Sequence, residues 1–136
     1  MTSKITYNGD LRTTATHLKS GTVIETDAPT DNHGKGERFS PTDLVATALG
    51  SCMLSIMGIV AGRHALNIEG SECDIEKIME ANPRRIGEIK ATVTMRGSSV
   101  FTDKDKQLLE HAAMTCPVFQ SLSENLKKTV HFSWPA

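Results

Sequence analysis

The sequence predicts an α+β fold, with antiparallel sheets arranged around one long central helix. Residues 40–63 (SPTDLVATALGSCMLSIMGIVAGR) keep apolar side chains at helical spacing from end to end. Short runs rich in Thr, Val and Ile, broken by Gly and Asn, precede that helix, and a clean alternation follows it at residues 86–96. Those three patterns fix the class.

Taken in order, Lys4 to Asn8 starts a strand and Asn8-Gly9-Asp10 turns the chain. Arg12 to His17 and Thr22 to Thr26 read as two further strands joined at Ser20-Gly21, so an antiparallel meander is expected. The polar run Ala28 to Glu37 is a loop leading to the helix. Ser40 suits the N-cap, Pro41 the first helical position, and Asp43 can reach back to the Ser40 backbone N–H as a capping box. Leu44, Val45, Ala48, Leu49, Cys52, Ile56, Ile59 and Val60 then recur at helical spacing, while Met53, Leu54 and Met57 add apolar surface elsewhere. A helix this apolar all round should be covered on most faces, by its own domain or by a second subunit. Gly50, Ser51, Ser55, Gly58 and Gly62 would let other segments approach it closely, and with no aromatic belt they argue against a membrane span.

Beyond the helix, Ile68 to Met79 reads as a strand with Cys73 and Ile75 inward, and Asn82-Pro83 turns the chain. In Ile86 to Arg96, Ile89, Ala91, Val93 and Met95 alternate with polar residues; Ile86 is out of step, as a bulge near Gly87 would make it. Thr102 caps a second helix with Asp105 at the capping-box position, and Leu108, Leu109, Ala112 and Ala113 form its apolar face. Cys116-Pro117 breaks that helix, Val118 to Lys127 reads as a further short one, and Thr129 to Trp134 closes the chain as a strand.

A chain of 136 residues fits a single domain spanning 1–136. With Lys+Arg 15 against Asp+Glu 16, the net charge of −1 gives no electrostatic case for nucleic acid or an anionic membrane. Met1 to Asp10 is polar and reads as no signal peptide. Cys52, Cys73 and Cys116 are odd in number and irregularly spaced, which points to reduced or redox-active thiols in the cytoplasm rather than to a secreted disulfide framework. Without a C-x-x-C or an H-x-x-x-H pair, neither a metal site nor another cofactor is expected. His17 could line a pocket from its strand, and His33 lies in a Gly-rich loop. A single Trp134 and a single Tyr7 give no support for nucleobase stacking.

The cysteines carry the chemistry. If Pro117 opens a helix, Cys116 sits at its N-cap, where free backbone N–H groups and the helix dipole stabilise a thiolate. Cys52, mid-helix, needs a cation or a hydrogen-bond donor to ionise. On spacing alone, inert core thiols account for both, and for Cys73 as well.

FSPTDLVATALGSC, followed much later by AAMTCPVFQSL, resembles the OsmC/Ohr superfamily of osmotically inducible and organic hydroperoxide resistance proteins. A proline stands eleven residues before a helical cysteine, a Cys-Pro opens a short helix, and the order of elements matches over nearly the whole chain. The resemblance implies a cysteine-based peroxidase with an OsmC-like fold and an intertwined homodimer with sites at its interface. It also implies that Cys52 attacks the hydroperoxide, that Cys116 resolves the product to a disulfide, and that an external dithiol reduces it. Family peroxidases add an arginine, for which Arg12 is the candidate and Arg38 the rival. They also carry a glutamate directly after the proline; Thr42 stands there, and Asp43 is the nearest carboxylate to replace it. The alternative is a noncatalytic small-molecule-binding member whose thiols are structural.

Overall fold

A computed structural model describes residues 1–136. The chain falls into two compact units, Met1–Val45 and Ala46–Ala136. The boundary lies in the second turn of the long helix.

The first unit is a meander. Strands β1 (Ser3–Gly9), β2 (Arg12–His17) and β3 (Val23–Asp27) pair antiparallel in that order. Asp10 and Leu11 form the two-residue turn, both in the left-handed region (φ 54° and 61°), as the twist of a tight hairpin demands. The turn therefore lies one residue beyond the expected Asn8-Gly9-Asp10, and Asn8 is left as a bulge between Tyr7 and Gly9. The second connection turns at Gly21 (φ 77°), with the Gly21 N–H donating to the His17 carbonyl. Pairing sets Ile5 beside Ala15 and Ala15 beside Ile24, and it sets Tyr7 beside Thr13 and Thr13 beside Thr26. Because paired residues share a face, one side of the sheet is apolar and the other carries Lys4, Thr6, Thr14, Thr16 and Glu25. On that apolar side Ile5 and Tyr7 remain 61% and 63% exposed in the single chain, while Thr26 is buried.

After the loop, which holds a short 3-10 turn at Thr30–Asn32, α1 runs from Pro41 to Arg63. The Asp43 N–H donates to Ser40 Oγ (3.0 Å) and the Ser40 N–H donates to Asp43 Oδ2 (2.9 Å), the expected capping box. By length and composition α1 could cross a bilayer, with a mean hydropathy of 2.1. Its buried residues instead follow one stripe of Ala46, Leu49, Gly50, Met53, Met57 and Ala61.

That stripe builds the core of the second unit. Strands β4 (Glu72–Glu80), β5 (Arg85–Thr94) and β6 (Lys127–Ser133) form a sheet with β5 central, antiparallel to β4 and parallel to β6. Ile89, Ala91 and Val93 alternate inward from β5 and join Leu49, Met53 and Met57 in one buried cluster. Each Leu, Ile, Val or Met side chain among them contributes about 1.5–3 kcal/mol on burial. The bulge falls where expected: Ile78 pairs with Glu88 and Met79 with Ile86, leaving Gly87 unpaired. A Cβ at Gly50 would lie 3.1 Å from both the Cys73 sulfur and the Ile75 side chain, so a larger residue there would force β4 and α1 apart.

A parallel partner for β5 requires a crossover, and helices α2 (Asp103–Met114) and α3 (Pro117–Ser121) supply it. Thr102 and Asp105 close both bonds of the α2 capping box, and Leu109, Ala112 and Ala113 are its buried face. Two spans differ most from expectation. The strand begins at Glu72 rather than Ile68, because Gly70 (φ 87°) turns the chain and Ser71 N–H donates to the Ile68 carbonyl. The short helix ends at Ser121 rather than Lys127: Leu122 is extended, and the Leu126 N–H donates to the Ser123 carbonyl in a separate turn.

Candidate active site

Cys52 sits in the fourth turn of α1, half-buried, and it packs against the core cluster from the border of the stripe. Beside it, Ala48, Ser51, Ser55, Ile59 and Gly62 run along a face of the same helix that stays exposed. Cys116 is fully buried and caps α3, with Pro117 in the first helical turn. The Gln120 N–H donates to the Cys116 carbonyl (3.1 Å), which fixes the backbone of the cap.

Remote in sequence, the two cysteines meet side chain to side chain, and both are free thiols. Burial, above all, pushes the Cys116 thiol up from its ordinary range. Against it, the amide N–H groups of Phe119 and then Val118 favour the thiolate, although neither closes a capping hydrogen bond. The neighbouring Cys52 side chain pushes it up further. The helix terminus anticipated from Cys116-Pro117 is present and acts in the anticipated direction, but desolvation outweighs it.

Cys73, on β4, also lies above the ordinary thiol range, through burial first and then the charge of Asp74. Its sulfur faces Gly50. Residues two apart on a helix point about 160–200° apart, so Cys73 meets a different side of α1 from the one Cys52 occupies.

In the first unit, Arg12 projects from β2 and is held along one edge. Its Nε donates to Asp27 Oδ1 (2.7 Å), and its Nη2 donates to Asp27 Oδ2 (2.8 Å) and to Glu37 Oε1 (3.2 Å). Asp27 is 1% exposed and also accepts the Glu37 backbone N–H (3.1 Å). The side-on bond raises the Arg12 guanidinium and holds the Asp27 carboxyl below the usual carboxylate range, against desolvation. Arg38 is more exposed; it donates to Glu25 Oε1 and to the Glu37 carbonyl. The Asp43 carboxylate closes the α1 cap, and the Thr42 hydroxyl meets Ser40 Oγ at 3.2 Å. His17 bonds the Ser20 hydroxyl, and His33 takes a left-handed conformation (φ 67°) in its loop. Sequence reasoning passed over Asp27 and Glu37. The observed register sets Arg12 opposite Asp27; a two-residue turn at Ser20-Gly21 would set it opposite residue 29, so the signal lay in the register and not in the turn residues.

The profile of the OsmC-like protein family matches residues 34–131. The chain belongs to the OsmC-like family. This OsmC-like protein is similar over 98% of its length to 96% of a Psychrobacter arcticus protein provisionally described as an osmotic stress induced and detoxification response protein, with 46% identity and a TM-score of 0.92. It shares its fold with the OsmC-like protein of Mycoplasma pneumoniae, at 18% identity and a TM-score of 0.81 over 98% and 96% of the two chains. The organic hydroperoxide resistance protein OhrB of Bacillus subtilis also shares that fold, at 18% identity and a TM-score of 0.70 over 98% of each chain. A comparison with functionally curated proteins gives no match.

The thiol contact makes a titration prediction for this OsmC-like protein. In a Cys73→Ser background, Cys52→Ala removes the neighbour that pushes Cys116 up and leaves Cys116 as the single thiol, which should then titrate at lower pH than in the background that keeps Cys52. Thiolate absorbance against pH measures it, and a Cys116 titration no lower without Cys52 would show that the two side chains do not interact.

Proposed function

We propose that this OsmC-like protein is a cysteine-based peroxidase that reduces organic hydroperoxides or hydrogen peroxide in oxidative stress defence. The observation that carries the reading is the side-chain contact between Cys52 and Cys116. Two thiols in contact can become a disulfide with little backbone movement.

The chemistry balances in two steps. The Cys52 thiolate attacks one peroxide oxygen, an S–O bond forms and the O–O bond breaks. The electron pair leaves on the alkoxide, which takes a proton to become the alcohol, and Cys52 is left as a sulfenic acid. Cys116 then attacks the sulfenic sulfur, the S–S bond forms, and hydroxide leaves with the Cys116 proton as water. An external dithiol reduces the disulfide by two exchanges. The half-buried Cys52 sulfur is the nucleophile, and the Cys116 thiol, raised by burial, loses its proton when it attacks. Arg12 is the cation for the developing alkoxide charge, on the family resemblance and on its fixed guanidinium.

The assembly is a homodimer. The apolar side of the β1–β3 sheet and the exposed face of α1 are uncovered in one chain, with Ile24 and Ile59 47% and 52% exposed. A second copy of this chain covers them, as the family resemblance implies. Free thiols of this kind fit the reducing conditions of the cytoplasm. The noncatalytic alternative draws its support from Thr42, which leaves the family's glutamate position without a carboxylate.

With cumene hydroperoxide and a dithiol, wild type should turn over. Cys52→Ser should lose more than about a thousandfold of that rate, as loss of a nucleophile does. Cys116→Ser should instead accumulate a sulfenic acid that dimedone traps. Wild type without turnover would leave the ligand-binding alternative. Sedimentation should give a dimer for wild type and dissociation for Ile59→Lys; a monomeric wild type would contradict the assembly.

A further inference from the structure

The register of β6 against β5 sets Lys128 beside Ile89, Val130 beside Ala91 and Phe132 beside Val93. Paired residues share a face, and Ile89, Ala91 and Val93 all point into the core. Lys128 therefore begins the inward row of β6, where the alternation calls for an apolar side chain. An ammonium group there has to leave the core along its own stem. It emerges against the segment that follows Cys116. Its Nζ lies 5.2 Å from the centroid of the Phe119 ring and donates to the Ser123 carbonyl at 2.9 Å. One cation thus ties α3 at Phe119 and the chain just beyond the helix at Ser123. The helix itself is five residues long with none fully buried, too short to persist on its own propensity.

We propose that Lys128 is a positioning residue for the resolving step: it holds α3, and so the Cys116 sulfur at the start of that helix, against Cys52. The inference rests on the peroxidase reading. Lys128 touches no reacting atom and acts through Phe119, which stands one helical turn beyond Cys116. Once Cys52 carries an oxygen, Cys116 must attack before a second peroxide reaches the sulfenic acid. A fixed α3 keeps the attacking sulfur in place for that competition, whereas a loose one leaves Cys52 open to sulfinic acid. Arginine can make both contacts, since its guanidinium stacks on a ring and donates to a carbonyl. Methionine matches the stem but carries neither the charge nor the donor.

Single-turnover mixing with cumene hydroperoxide separates the two steps, with dimedone trapping and intact mass reading thiol, sulfenic acid and disulfide over time. Wild type, Lys128→Met, Lys128→Arg, Phe119→Leu and the double variant of Lys128→Met with Phe119→Leu are compared, with thermal unfolding recorded for each. Lys128→Met should oxidise Cys52 at the wild-type rate and form the disulfide about 10- to 100-fold more slowly, the scale of a misplaced reacting group. Lys128→Arg should restore most of that loss, and in the Phe119→Leu background Lys128→Met should cost less. Four results overturn the inference and leave the peroxidase standing: wild-type disulfide formation in Lys128→Met, equal slowing of both steps, an arginine variant as slow as the methionine one, or an undiminished cost in the Phe119→Leu background. A wild type that does not react with the hydroperoxide overturns both. Should Lys128→Met fail to fold, Phe119→Leu decides: it should slow disulfide formation alone, and an unchanged rate or equal slowing of both steps overturns the inference.

Discussion

Leu49, Met53 and Met57 of α1 share one buried cluster with Ile89, Ala91 and Val93 of β5, and the second unit depends on that packing. The stripe fixes the rotation of the helix. With it set, Gly50 receives β4 and Cys52 falls at the border between core and exposed face. Leu109 and Ala113 of α2 join the same cluster, which places the end of α2 and hence Cys116. No local motif joins the two cysteines; the core does.

The electrostatics of the pair follow from where the core ends. Cys116 is inside it and Cys52 at its edge. Burial disfavours charge on the inner thiol more than the α3 amide groups favour it. Such an arrangement suits a sequence in which the outer sulfur reacts first and the inner one second. The first unit works by the opposite logic. It buries almost no apolar surface, but it buries one carboxylate and satisfies it with three donors. Stripping charge from that carboxylate would leave Arg12 unclamped rather than open a cavity.

Much of this was legible in the sequence, for reasons particular to each element. Thr102 and Asp105, or Ser40 and Asp43, announce helix starts because capping is local chemistry. Gly87 announces a bulge because Ile86 breaks a period of two. The short helix was misjudged because Ser123 to Leu126 has helical composition but closes a turn of its own. Cys116 was placed correctly at an N-cap, yet the net direction of its shift was not, since desolvation depends on packing that spacing does not report. Asp27 was missed because a carboxylate closing a strand looks like any surface charge until the hairpin register sets it opposite Arg12.

The central claim is that Cys52 and Cys116 form one redox unit. The direct measurement is peptide mapping of the protein after one equivalent of cumene hydroperoxide, with intact mass recorded in parallel. The account predicts a chain lighter by one pair of hydrogens and a single linked peptide joining Cys52 to Cys116, with Cys73 still free. A linkage through Cys73, or oxygen added to Cys52 with Cys116 left as a thiol, would contradict it.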